Sequence, residues 1–355
     1  MNIQDQRSRF NADGSRFVSR REWLAGCTAA GLTAMSSTTL TPHTAHAIPA
    51  INLQENQKAQ IAITLDLEMS RNFPKWEDTF WDYEKGNLNE ETKRYSEQAA
   101  RRVKESGGKI HFFVVGRLFE QPNVDWLKRI VSEGHPLGNH TYDHVNVHAS
   151  SVPDVQFRFR RSPWLVEGKA PLEIVRENVR LCSLAMMNRL EMKPNGFRTP
   201  GGFFEGLKKR PDVRAMLREQ GFDWVSSLYP KHAYTKPKHR PDAQVIENIV
   251  SAQAAAQPFV YPDGLIEIPM SPISDIGAFR TGQWKLEWFL TVIREAVNWA
   301  IENRATFDFL AHPSCLYVMD PDFKSIDLIC NLVAENRQRA EIVDLDTVAS
   351  RITQT

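Results

Sequence analysis

Cysteine is scarce. The 355-residue chain has four, and no two stand in a CxxC spacing. That argues against a zinc-ribbon or thioredoxin-type centre and against a disulfide-dense scaffold. No run of 18 consecutive apolar residues occurs, so no membrane-spanning helix is predicted. An excess of one charge is also missing. Lys and Arg number 44 against 43 Asp and Glu, a formal net charge of +1, so neither nucleic acid nor an anionic membrane surface is an expected partner. Internal repeats and low-complexity linkers are absent as well, leaving no seam at which to divide the chain. What is present is ample core material, 42% hydrophobic, in a length normal for one α/β barrel.

Residues 1–47 read as an export signal of the bacterial twin-arginine type. Ser19-Arg20-Arg21-Glu22-Trp23-Leu24 leads into a mildly apolar, Ala/Gly/Thr-rich run, and Ala45-His46-Ala47 is a small-x-small cleavage site. The expected location is periplasmic or extracellular. Residues 48–355 are left as a single domain. Cys27 departs with the signal, and Cys182, Cys315 and Cys330 are expected to be buried thiols acting as small hydrophobes.

Beyond the signal, strand-like and helix-like patterns alternate. Strands are predicted at 60–65, 109–115, 134–139, from 196, and at 224–228, 265–268, 307–311 and 341–343. Helices are predicted at 90–106, 124–133, 172–190, 208–220, 285–303 and 323–335. Such alternation indicates a parallel sheet, and this many units favour a distorted (β/α)7–8 barrel over an open sheet. The stretch 70–89 breaks the rhythm just after the first strand. It holds Trp76, Phe80, Trp81 and Tyr83, and Trp81 is a candidate for stacking on a sugar face.

Five short motifs fall at or just after strand-like runs, where an α/β barrel gathers its functional groups. The spacing of His140 and His144, i and i+4, suits two imidazoles on one side of a helical turn meeting one metal ion, with Asn139 and Asp143 beside them to orient the rings. The pair alone says little, because ten histidines in this length give roughly 0.25 such pairs by chance. Combination supplies the specificity. Asp66 and Glu68 alternate with Leu65 and Leu67, so both acids share one face at a strand end. Burying two carboxylates there is costly without a cation. Two tasks then await them, a third metal ligand and a general base for a metal-activated water. Arg198, before Pro200-Gly201-Gly202, suits an ion pair with the base. His312 ends the apolar run 307–311, a position fit for a general acid.

In order and content these motifs resemble the polysaccharide deacetylase family, the NodB-homology or carbohydrate esterase family 4 domain, over about residues 58–350. The family's first motif is Thr-Phe-Asp-Asp, whereas this chain reads Thr64-Leu65-Asp66-Leu67-Glu68. The resemblance implies a NodB-like barrel and a metal-dependent hydrolase of carbon–nitrogen bonds that removes acetyl groups from an acetylated glycan. It implies Glu68, His140 and His144 as metal ligands and Asp66 as base, with the two acids' roles open to exchange. Arg198 would pair with the base, Trp224 would wall the acetyl pocket, and His312 would protonate the leaving group. A backbone N–H near Tyr142 would hold the oxyanion. The ion expected is zinc, with cobalt, nickel and iron as other candidates. An allantoinase-like amide hydrolase and a degenerate carbohydrate-binding protein are the competing readings.

Overall fold

Alanine, isoleucine and leucine dominate residues 59–67, and all nine form strand β1 (Ala59–Leu67), buried along its whole length. A strand covered on both faces belongs in a parallel sheet flanked by helices. Residues 57–75 and 84–352 are described in a computed structural model, and β1 is the hub of their sheet. It pairs in parallel with β2 (Ile110–Val114), β8 (Thr306–Ala311) and β9 (Ala340–Ile342). From β2 the parallel pairing passes through β3 (Leu137–Asn139), β4 (Phe197–Phe203) and β5 (Trp224–Leu228) to β7 (Ile266–Glu267). The short β6 (Phe259–Val260) runs antiparallel to β7.

The sheet curls into a half-barrel rather than closing by a full ladder, since β8 and β7 are not paired strands. The chain after β7 bridges the gap. Ser271 donates its N–H to the Asp308 carbonyl at 3.1 Å, and Ser271 Oγ accepts from the Asp308 N–H at 2.8 Å. The distorted α/β barrel expected from the alternation is therefore present, as a single domain.

Nine helices among the described residues surround the sheet: α1 (Glu90–Glu105), α2 (Asp125–Ser132), α3 (Pro171–Leu190), α4 (Pro211–Glu219), α5 (Ala243–Ser251), α6 (Leu286–Glu302), α7 (Pro313–Met319), α8 (Lys324–Glu335) and α9 (Leu345–Ile352), besides two short turns at Val152–Val155 and Phe157–Arg161. Helix α1 shows the local logic. Asn89 caps it by accepting the Thr92 N–H, acids fill its first turn, and Arg102 and Lys104 sit in its last. Helices α5, α7 and α9 were not predicted. The first is rich in β-branched residues, which blurs its period, and the second is only seven residues long.

Inside the barrel the two ends differ. Ala62, Phe113, Trp224, Ile266 and Ile268 form an apolar plug inside the barrel, packed against Leu345, Val348 and Ala349 of α9. Above that plug the inward positions turn polar, with Thr64 and Asp66 on β1, Arg198 on β4, Ser226 on β5 and Asp308 on β8, all buried. Polar groups thus collect at the C-terminal mouth. Cys182, Cys315 and Cys330 are free and buried, as expected. Residues 1–47, with the predicted signal, and the aromatics from Trp76 to Tyr83, Trp81 among them, lie outside the described residues.

Candidate active site

At the end of β1, Leu65 and Leu67 bury one face completely and Asp66 and Glu68 the other almost so, at 4% and 3% exposure. The acids thus share one face, as alternation predicts. Glu68 Oε1 meets the Lys85 ammonium, itself buried. Its other oxygen, Oε2, is buried and carries no hydrogen bond.

The two histidines come from the segment after β3, which is not a helical turn. Thr141 and His144 adopt φ of 60° and 56°, so two left-handed residues bend the chain. Asn139 fixes the bend, its Oδ1 accepting from Thr141 N–H at 2.8 Å and its amide donating to the Val179 carbonyl at 2.8 Å. Neither Asn139 nor Asp143 orients an imidazole. Asp143 instead pairs with Arg117 and Arg158 at 2.6 and 2.7 Å. It is the Arg198 carbonyl, 3.0 Å from His140 Nδ1, that fixes this ring. With Nδ1 donating, Nε2 keeps its lone pair. His140 Nε2 lies 3.7 Å from both Asp66 Oδ2 and Glu68 Oε2, and His144 Nε2 lies 2.7 Å from Glu68 Oε2.

Burial pushes His140 below the ordinary imidazole range and, with the nearby Lys85 charge, takes His144 to about 4. Burial would raise Glu68, but the facing His144 and Lys85 outweigh it and hold the carboxyl well below the usual range. Both imidazoles are thus weakened as bases while the Glu68 carboxyl beside them favours its ionised form, with the His144 ring 2.7 Å from it. Ligand atoms of Glu68, His140 and His144 lie within 4.8 Å of one another. That donor set, with an unsatisfied buried oxygen, fits a divalent cation.

Arg198 is fully buried and stacked 4.2 Å over the Phe113 ring. It reaches Asp66 Oδ1 at 3.2 Å, as expected, but also Asp308 Oδ2 at 2.5 Å and Thr64 Oγ1 at 2.7 Å. Burial lifts Asp308 above the ordinary carboxylate range despite this pairing. Removing the guanidinium would strand two buried carboxylates, at a cost of about 3–5 kcal/mol.

His312 follows β8. Its Nδ1 lies 3.0 Å from Asp275 Oδ1, and its N–H donates to Asp275 Oδ2 at 2.8 Å. Its Nε2 faces Glu68 Oε1 at 3.5 Å and Asp66 Oδ2 at 3.9 Å. Burial alone would depress this imidazole, but the Asp275 charge and hydrogen bond, with Glu68 and Asp66 behind them, raise it above the ordinary range. Asp66, Glu68, His140, His144 and His312 line one cleft of about 290 Å³, together with Lys85, Thr199, Tyr229, Tyr234 and Arg280.

Two candidates from the sequence are elsewhere. Trp224 opens β5 at the opposite end of the barrel, where its indole stands edge-on to His111 and Phe113 and donates to Asp346 at 2.8 Å. Being the first residue of its strand, it cannot reach the mouth that the strand's last residues form. Tyr229, just past β5, lines the cleft instead. Tyr142 packs its ring beside Gly116, gives its hydroxyl to Glu120 at 2.9 Å, and spends its N–H on the Asn178 carbonyl at 3.1 Å. That N–H is not available to an oxyanion. Sequence reasoning missed Lys85, Asp275 and Asp308. Only Asp308 had a signal, an acid inside the otherwise apolar Thr306-Phe307-Asp308-Phe309-Leu310.

Residues 56–223 match the family model described as polysaccharide deacetylase. No curated protein matches the chain. Among solved structures, a Pseudomonas aeruginosa PAO1 protein described as a polysaccharide deacetylase superposes with a TM-score of 0.57 at 12% identity, covering 83% of this chain and 91% of that one. A Mycobacterium smegmatis protein so described gives 0.52 at 15% identity, covering 86% and 93%. The Puue allantoinase gives 0.56 at 13%, covering 85% and 93%. At such identities these three speak for the fold. Over residues 56–223 this chain is thus similar to the polysaccharide deacetylases, and on that footing it is a hydrolase of carbon–nitrogen bonds of the carbohydrate deacetylase class.

Proposed function

We propose that the protein is an exported, metal-dependent deacetylase of an acetylated glycan. The observation that carries this reading is the convergence of Glu68 Oε2 with the Nε2 atoms of His140 and His144, within reach of both Asp66 and His312. A divalent cation, zinc by the chemistry of the donors, would be held by Glu68, His140 and His144 and would supply Lewis acidity and a more acidic water. The remaining chemistry belongs to the chain. Asp66, aimed by Arg198, takes a proton from the water that attacks the acetyl carbon. His312, protonated and braced by Asp275, gives a proton to the departing sugar nitrogen as the carbon–nitrogen bond breaks. Acetate and a free amine result; an O-acetyl ester would release an alcohol by the same transfers. Asp66 as base and Glu68 as ligand is the assignment favoured here, because Glu68 is the acid nearer His144, at 2.7 Å.

Export rests on Arg20-Arg21 and Ala45-His46-Ala47. The test is acetate release by the purified chain from acetylated chitooligosaccharides, xylan and peptidoglycan, with and without a chelator. Release from at least one glycan, abolished by chelation and restored by zinc, is expected. Hydrolysis of allantoin with no acetate from any glycan would favour the amide-hydrolase reading, and inertness toward all of them would favour a binding protein.

A further inference from the structure

We propose that Arg280 makes this cleft selective for a glycan whose acetylated sugar carries or adjoins a carboxylate. The inference rests on the deacetylase reading and adds the substrate's charge to it. Arg280 lines the same cleft as Asp66, Glu68 and His312. Other arginines are spoken for: the fully buried Arg198 by Asp66 and Asp308, and Arg117 and Arg158, which line a separate cavity, by Asp143. The acids around the cleft are likewise met by other groups, Glu68 by Lys85 and Asp275 by His312. Arg280 is half-buried and forms no hydrogen bond or ion pair with any described residue. Burial depresses its basicity, with Glu68 and Asp275 acting only at a distance. A guanidinium so desolvated and left without a fork-shaped acceptor is a cost to the fold that a ligand oxyanion would relieve.

Its support is firm. Arg280 stands on the turn Ile276–Thr281, and the residue before that turn, Asp275, is tied to both the N–H and the Nδ1 of His312. The far side is pinned where Trp284 donates to the Ala278 carbonyl at 3.0 Å and its indole to Thr235 at 2.9 Å. The group that would protonate the leaving nitrogen and the group that would grip the carboxylate are therefore held by one rigid element. Lysine would keep the charge but lose the planar fork that matches a carboxylate. Tyr229 and Tyr234 give the cleft aromatic faces for the sugar rings.

The test pairs N-acetylglucosaminyl-glucuronic acid with its carboxyl-reduced form, and N-acetylmuramic acid with N-acetylglucosamine, so that a uronic and an ether-linked carboxylate are told apart. Binding is read by calorimetry in an Asp66→Asn background, and acetate release in the unaltered enzyme. At least one carboxylated member is expected to bind about 10- to 100-fold tighter than its neutral partner. Arg280→Gln is expected to erase that difference, and Arg280→Lys to restore only part of it. Equal binding within both pairs, or a preference that survives Arg280→Gln, overturns the inference. If the glutamine variant fails to fold, the comparison in the Asp66→Asn background alone decides. Acetate released equally from both members of each pair sinks the selectivity and leaves the deacetylase standing. Arg280-dependent binding without any acetate release sinks the deacetylase and leaves the carboxylate site.

Discussion

The individual groups of the cleft divide into those whose chemistry is set by sequence neighbours and those set across the fold. Asp66 and Glu68 are of the first kind, because Asp66 is placed by the end of β1 and Glu68 by the bend just after it, where its N–H donates to the Asp66 carbonyl. His312 is of the second, since its partner Asp275 is 37 residues away and belongs to no motif. Two predictions follow at this scale. Asp66→Asn and His312→Ala should each lower acetate release by about 10²–10⁴-fold while leaving zinc content, measured by atomic emission, at the level of the unaltered enzyme. Near-full turnover in either variant would remove its assigned role. The second concerns pH. A general acid works below its pKa, so activity should fall on the alkaline side as His312 loses its proton. Asp275→Asn removes the charge that raises this imidazole, and the alkaline limb of the kcat profile should move to lower pH. A limb that stays put, or moves up, would assign it to another group.

At the scale of elements, the site depends on which end of each strand a residue occupies. Strand β5 makes the point. Its first residue, Trp224, belongs to the apolar plug, while the residue after its end, Tyr229, lines the cleft. Gly196 shows how tightly that plug is closed: its φ is +68°, and a Cβ there would fall 2.0 Å from the indole ring. Trp224→Ala should therefore cost about 3–5 kcal/mol in urea unfolding, the usual range for emptying a buried aromatic site, without changing KM for an acetylated glycan. A raised KM with undiminished stability would return Trp224 to the substrate pocket. The histidine pair teaches a related lesson. Its i, i+4 spacing suggests a helix, yet two left-handed residues and the Asn139 bonds bring both rings to Glu68. Spacing was the right signal for the wrong backbone.

For the whole molecule, the C-terminal mouth is where buried polar groups concentrate, and a cation that binds there binds only the folded chain. Its stabilisation should follow RT ln(1 + [M]/Kd), about 2.7 kcal/mol at a hundredfold excess over Kd. Chelation should lower the melting temperature, zinc should restore it, and Glu68→Gln should abolish the response, all by calorimetry. A melting temperature indifferent to both zinc and chelator would leave the Glu68-His140-His144 cluster without its proposed ion. The sequence by itself determined the α/β alternation, the first strand, and the acids, histidines and Arg198 that meet at the mouth. These are legible because apolar period, strand-end position and residue chemistry are local properties. Only tertiary structure decided that Lys85 meets Glu68, that Asp308 shares Arg198 with Asp66, that Asp275 backs His312, and that Trp224 and Tyr142 face away from the cleft. The physical reason is distance along the chain. A charge pair or a facing side chain is made by the curl of the sheet, which no short stretch of residues encodes.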